Sequence, residues 1–354
     1  MTRFMRNRRV LLGFVISGVF LYFSLRGQDF AAVIDAFRQV RLWYLVPAIV
    51  LYFVGLWLKA YRWSLLLEPL VKLSARTLLS INAVGLMANN VLPLRTGELV
   101  RAYTLSQRAP ISKSSSLATI AVERVFDGLT MLTFILASMV FVPLTSQLRN
   151  VAILATALFA VAIAGLLIMA RGGIWRDRVI RFLIAVLPDS FAIRATRIAD
   201  SFIEGLGIFR NLGKLGLVGA VSLLAWTFEV SVYFTVAKAF GGSISAVMGI
   251  PEAFLTTGIA NLATLVPSSP GYVGPFEAAV ILVLRGALGL TRELALSYAI
   301  LVHALLYFPV TIWGAIAWSR LHLSVDKVED FEQDDLSPAQ IAGVQIDRRA
   351  PGGS

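Results

Sequence analysis

Apolar residues dominate six stretches of the chain, residues 10–25, 42–58, 128–144, 151–170, 215–239 and 294–318. Each is close to the roughly 20 residues with which a helix crosses the hydrocarbon core of a bilayer. The first run follows Arg3, Arg6, Arg8 and Arg9 and so resembles a signal peptide, yet Leu25-Arg26-Gly27-Gln28-Asp29 offers no small-residue cleavage site. It reads as a retained start-transfer helix, short enough that tilt or local thinning must help it span.

Two further apolar stretches are interrupted. Residues 78–92 contain Asn82, Asn89 and Asn90 and run into Pro93-Leu94-Arg95-Thr96-Gly97-Glu98. Residues 253–266 contain Asn261 and run into Pro267-Ser268-Ser269-Pro270-Gly271-Tyr272-Val273-Gly274-Pro275, with a new apolar run from 276 to 290. Neither reads as a plain crossing.

Charge placement turns these interruptions into a topology. If 78–92 crossed the membrane, Arg95, Arg101, Arg108, Lys113 and the basic segment from Arg171 to Lys214 would all lie outside, against the positive-inside rule. If 78–106 is instead a re-entrant hairpin, Lys59, Arg62, Lys72, Arg76, Arg108 and Lys113 fall on the cytoplasmic side. A second hairpin over 253–290, dipping from the outer side, brings Arg320 and Lys327 to the cytoplasm as well. The predicted fold is therefore an all-α polytopic integral membrane protein with about six full transmembrane helices and two re-entrant helical hairpins entering from opposite sides. It occupies residues 1–323, sits in the inner or plasma membrane, and has both termini cytoplasmic. Residues 171–214 interleave arginines with Ile180, Leu183, Ile184 and Leu187, as expected of interfacial helices on the cytoplasmic leaflet. Residues 324–354 are acidic and polar and read as a disordered cytoplasmic tail.

Composition agrees: 57% of the 354 residues are hydrophobic and 15% charged, with mean hydropathy +0.76, against about 45–50% and about 25% in soluble domains. The net charge of +11 is explained by topology and anionic lipid, with no nucleic-acid partner implied. The chain has no cysteine and two isolated histidines, His303 and His322, a poor donor set for a metal. No cofactor is implied.

Hairpin tips at membrane depth need protein or a wet cavity to satisfy their backbone, and broken helices present partial charges to substrates in transporters. Three constellations carry the candidate chemistry. In the first, Asn90-x-x-Pro93-x-Arg95-x-Gly97-Glu98-x-x-Arg101, Pro93 and Gly97 allow a turn, Arg95 and Arg101 suit a phosphate, and Glu98 suits an arginine or a proton. A plain helix start, with Thr96 as cap, is the bland reading. The second, Glu123-Arg124-x-x-Asp127, groups its charges at helical pitch, so an internal ion pair explains it as well as substrate contact does. The third places turn residues Pro267, Pro270, Gly271, Gly274 and Pro275 before Glu277 at a new helix start, where exposed amides suit an anion or Glu277 itself. Glu229 lies mid-span and, with Glu123 and Asp127, is a candidate for proton or cation handling. His303 reads as a helix-packing hydrogen bonder.

The three motifs, in this order on this hydropathy profile, resemble the transmembrane region of the lysylphosphatidylglycerol synthase family, over about residues 10–320 and without the soluble aminoacyl-transferase domain of its two-domain members. Asn90, Pro93, Arg95, Gly97, Glu98, Arg101, Glu123, Arg124, Asp127, Pro267, Pro270, Gly271, Gly274 and Glu277 match the family's motif positions; Tyr272 departs from it, where many relatives have a second glycine. The resemblance implies a flippase-like protein that moves a phospholipid or lipid-linked headgroup between leaflets. Asn90, Arg95, Glu98, Arg101, Arg124 and Glu277 would contact the substrate, with membrane lipids, anionic ones first, as partners. No enzyme is expected. A membrane-embedded lipid-modifying enzyme and a lipid-binding scaffold or receptor are the alternatives, and a homo-oligomer is compatible with either.

Overall fold

The protein is described from a computed structural model that covers residues 15–27, 29–92, 96–143, 145–171, 174, 178, 200–266 and 269–321. Pro93, Arg95 and Pro267, most of the expected interfacial segment 171–214, and the tail 324–354 lie outside the described residues. Every regular element among the described residues is helical. In order these are α1 (Val15–Leu25), α2 (Phe30–Arg38), α3 (Leu45–Leu67), α4 (Ala75–Val91), α5 (Gly97–Ser106), α6 (Lys113–Ser138), α7 (Ser146–Arg171), α8 (Leu212–Phe240), α9 (Gly242–Val247), α10 (Ile250–Ala263), α11 (Pro275–Gly286) and α12 (Arg292–Arg320). Helical residues 200–205 precede α8.

Short polar residues set several starts by accepting an otherwise unpaired amide of the first turn. Ser74 caps α4, Ser112 caps α6, Asn211 caps α8 and Thr291 caps α12. Four helical stretches are long and apolar enough to cross a membrane: Leu42–Leu67, Ser146–Ala170, Leu212–Phe240 and Arg292–Arg320. The chain is thus an all-α polytopic membrane protein. The expected span at 128–144 differs from what forms: α6 starts at Lys113 and ends at Ser138, carrying Glu123, Arg124 and Asp127 inside one continuous helix. Those charges do not break it because side chains of α3 and α5 neutralise them, as set out below.

Both interrupted stretches fold as helical hairpins. α4 packs on α5, α10 packs on α11, and both hairpins pack on α12. Their order along α12 gives the architecture. Gly314 closes on Ala83 of α4, and Asn90 at the end of α4 bonds to Tyr307 and Thr311. His303 meets Glu277 at the start of α11. The hairpins therefore approach from opposite ends of α12, and their tips meet near its middle.

Close approach makes glycine necessary at the first hairpin. Asn89 reaches across the turn to accept the Gly97 amide at 2.8 Å, while Thr96 makes no side-chain cap bond. A Cβ on Gly97 would collide with the carbonyl oxygen of Gly85 and with Asn89. Backbone cannot move aside as a flexible side chain would, so Gly97→Ala is expected to cost about 1–3 kcal/mol by overpacking. Thermal unfolding in detergent should show a lowered Tm for Gly97→Ala and an unchanged one for Gly216→Ala, where nothing lies within 4 Å.

Candidate functional site: a charged cavity at the hairpin tips

Between α3, α4, α5, α6, α8 and α12 lies a cavity of about 160 Å³, room for roughly ten waters. Four basic side chains, Lys59, Arg62, Arg101 and Arg124, and four acidic ones, Glu98, Glu123, Asp127 and Glu229, line it. Asn90, Tyr272 and His303 bring both hairpin tips to its wall.

The acidic motif of α6 is built into the helix bundle. Arg62, 1% exposed, donates from Nη1 to Asp127 Oδ1 at 2.6 Å and to Ser222 Oγ at 3.0 Å, and from Nη2 to Glu123 Oε1 at 3.3 Å. Trp226 Nε1 donates to the same Asp127 oxygen at 2.7 Å. Arg101 donates to Glu123 Oε2 at 2.6 Å and lies over the Trp63 ring at 4.1 Å. Three side chains from three helices, Arg62, Arg101 and Trp226, thus share two carboxylates of a fourth. On the neighbouring wall Lys59 donates to Glu229 Oε2 at 2.6 Å, with its ammonium 3.5 Å from the centre of the Trp226 ring.

Arg124 stands apart from this network. Its side chain is 40% exposed, and its ion pair with Asp127 Oδ2 is long, at 3.4 Å. The buried Nε–H groups of Arg124, Arg62 and Arg101 have no hydrogen-bond partner among the described residues. A buried donor left unsatisfied costs about 1–3 kcal/mol, a cost that the packing of these three arginines carries. No cluster of three or more metal-binding side chains occurs among the described residues.

Of the residues expected at the site, Asn90, Glu98, Arg101, Arg124, Glu123, Asp127 and Glu229 line this one cavity. Arg95 lies outside the described residues. Glu277 is buried just behind the wall: Oε2 accepts the Gly274 amide at 2.7 Å, and Oε1 lies against His303. Its carboxylate caps the start of α11, the local alternative to receiving an anion there. The tip before it has φ of +70° at Gly271, +60° at Tyr272 and +101° at Gly274. Tyr272 is the non-glycine residue with positive φ among those described.

Lys59 and Arg62 were not expected here. Both sit in the last two turns of an apolar helix, where a basic residue reads as a topology signal. The clue lay elsewhere: Glu123, Asp127 and Glu229 together need more cations at depth than Arg124 supplies.

An all-α membrane bundle whose two hairpins enclose a charged cavity defines the class. The chain belongs to the family described as the lysylphosphatidylglycerol synthase TM region, which matches residues 10–314. It is similar to Glycosyltransferase AglD of Haloferax volcanii, 29% identical over 359 residues that cover 94% of this chain and 57% of that protein. The UPF0104 membrane protein of Methanothermobacter thermautotrophicus is 23% identical, covering 80% of this chain and 87% of its own length. The UPF0104 membrane protein MJ1078 of Methanocaldococcus jannaschii is 24% identical, covering 64% and 91%. The chain spans little more than half of AglD. Family and relatives together support a membrane protein with a lipid-related role.

Removing Arg62 would leave Glu123 with Arg101 alone, and Asp127 with the Trp226 N–H and the long pair to Arg124. Arg62→Gln is expected to destabilise the fold by about 3–5 kcal/mol, seen as a lowered Tm in detergent. Adding Asp127→Asn should recover a measurable part of the loss, because it removes the stranded charge.

Proposed function

We propose that this protein moves a phospholipid or lipid-linked headgroup between the leaflets of the membrane, by alternating access through the charged cavity. The observation that carries the reading is the cavity itself. Polar residues at membrane depth converge at the tips of two hairpins approaching from opposite ends, where a shift of one against the other would change the side to which the cavity opens.

Arg124 is the anchor. Arg62 and Arg101 are engaged at short range by buried carboxylates, whereas the partly exposed Arg124 makes only a long pair with Asp127 and lines the cavity. A planar guanidinium suits a phosphate oxygen pair, which makes an anionic phosphate headgroup the natural cargo while the acyl chains stay in lipid. Asn90, Glu98 and Arg101 shape the rest of the pocket. The cavity is of headgroup size, and its balance of charges favours transient over tight binding, as passage requires.

The reading takes the chain as a transporter and not a catalyst; the activity in the name of AglD stays with that protein. Lys72, Arg76, Arg108, Lys113, Lys214 and Arg320 gather at one end of the bundle, tied there by the Lys214–Glu68 pair at 2.8 Å and the Arg108 bond to the Leu321 carbonyl. Basic residues at the other end alternate with Asp29, Asp35, Glu252 and Glu293. By the positive-inside rule the first end faces the cytoplasm of an inner or plasma membrane, and both termini with it.

The test is a leaflet-resolved assay of natural and fluorescent lipids in proteoliposomes. Arg124→Ala should slow flipping by about tenfold or more, the equivalent of one charge-assisted hydrogen bond of about 1.5–3 kcal/mol. Arg149→Ala, at the exposed end of α7, should leave it unchanged. If Arg124→Ala flips every lipid at the parent rate, the site assignment fails.

A further inference from the structure

His303 touches the second hairpin tip with both of its ring nitrogens. Nδ1 lies 2.5 Å from Glu277 Oε1, and Nε2 lies 2.8 Å from the Gly271 carbonyl oxygen. A carbonyl accepts only, and so does an ionised carboxylate, while a neutral imidazole has a single N–H to give. The two contacts together therefore require one proton more than a neutral histidine and a carboxylate hold. That proton sits on the ring, making an imidazolium, or on Glu277, making a carboxylic acid that donates to Nδ1.

Without it, one contact sets lone pair against lone pair. The N–H stays where it meets a full charge, on the side of Glu277, and the Gly271 carbonyl is the partner released. That carbonyl belongs to a strained tip, since Gly271 and Tyr272 in succession have φ of +70° and +60° and such backbone persists only while its surroundings hold it. One turn further along α12, Tyr307 Oη donates to the Asn90 carbonyl at 3.1 Å and fixes the tip of the first hairpin by a bond that needs no added proton.

We propose that Glu277 and His303 form a proton-binding site that latches the second hairpin to α12, closed when the extra proton is bound and open when it leaves. Under the transport reading, on which this last step rests, the proton is the coupling ion for the hairpin movement. The latch itself is independent of that reading.

The other charged or titratable groups facing this region come from every packed element. They are Tyr52, Lys59 and Arg62 on α3, Glu98 and Arg101 on α5, Glu123, Arg124 and Asp127 on α6, Glu229 and Tyr233 on α8, Tyr272 on the tip and Tyr307 on α12. Lys59–Glu229, Arg62–Asp127 and Arg101–Glu123 engage the nearby carboxylates. Glu277 has His303 as its ion-pair partner, with Phe276 packed on the imidazole at 4.5 Å between ring centres.

The chain has no cysteine, so Val273→Cys places a single nitroxide on the tip of the full-length protein in lipid. Its mobility is expected to rise as the pH is raised. Glu277→Gln supplies the critical variant: its carboxamide oxygen accepts the Gly274 amide, and its NH₂ donates to Nδ1 of a neutral imidazole. The latch is then closed without a titrating proton, and the label should stay immobilised throughout. His303→Phe should leave it mobile throughout, and if that variant does not fold, Glu277→Gln carries the test. A parent tip that does not respond to pH overturns the latch, as does a Glu277→Gln tip that titrates like the parent. In proteoliposomes, reversing an imposed gradient of one pH unit should change the flipping rate of the parent by roughly tenfold and leave Glu277→Gln unaffected. Flipping that ignores the gradient while the tip titrates overturns the coupling. A titrating tip in a protein that flips no lipid supports the latch and overturns the transport reading instead.

Discussion

Arg62 is the side chain on which the arrangement of helices depends. Its guanidinium leaves α3, meets Asp127 and Glu123 one helical turn apart on α6, and touches Ser222 on α8. Arg101 then binds the free oxygen of Glu123 and ties in the first hairpin. Buried ion pairs add little net stability over apolar packing, but losing one partner is severely destabilising. Such a network therefore works as a register: it lets α3, α5, α6 and α8 meet at one relative depth, and sliding any of them by a turn would strand a charge.

That register explains the cavity's electrostatics. Its basic and acidic side chains balance in number, although the arginine-rich tip motif alone suggests a cationic pocket. Most of the positive charge is spent inside the protein, holding carboxylates that could not otherwise remain ionised at this depth. What faces the lumen is a small remainder, of which the partly exposed Arg124 is the basic part.

Much of this was legible in the chain. Asn89, Asn90 and Pro93-to-Gly97 announced a hairpin because apolar helices do not otherwise tolerate that density of polar and turn residues, and the same holds for the run after Val266. Glu123, Asp127, Glu98, Arg101 and Arg124, which line the cavity, were legible as candidates from the cost of charge at membrane depth. Lys59 and Arg62 were hidden because a basic residue near the end of an apolar run has two readings, snorkelling to the interface or reaching inward, and only the positions of partner carboxylates on other helices decide between them. The role of His303 was hidden for a related reason. A single histidine carries no pattern, and its two acceptors, Glu277 and the Gly271 carbonyl, lie 26 and 32 positions away in sequence.

α12 connects these parts. Over two turns it holds the second tip through His303 and the first through Tyr307 and Thr311, while Gly314 lets the first hairpin pack directly against its backbone. The first tip is fixed by amide and hydroxyl bonds and by glycine-mediated contact, and its hairpin is also bound into the Arg62 network through Arg101. The second tip is held at the same helix by the His303 contacts and by Gly271 packed on Tyr307, and at α1 by the Ser17 hydroxyl, with Tyr272 in a sparsely populated backbone conformation. The two hairpins are therefore unequal: the first is part of the rigid frame, and the second is the element whose attachment has a low-cost way to change. Pro309, inside α12 between Tyr307 and Thr311, removes one backbone hydrogen bond of the helix where the first tip is attached. A movement that opens the cavity toward one side and then the other would need no rearrangement of the buried charges, only a change at the second tip against a frame that Arg62 keeps in register.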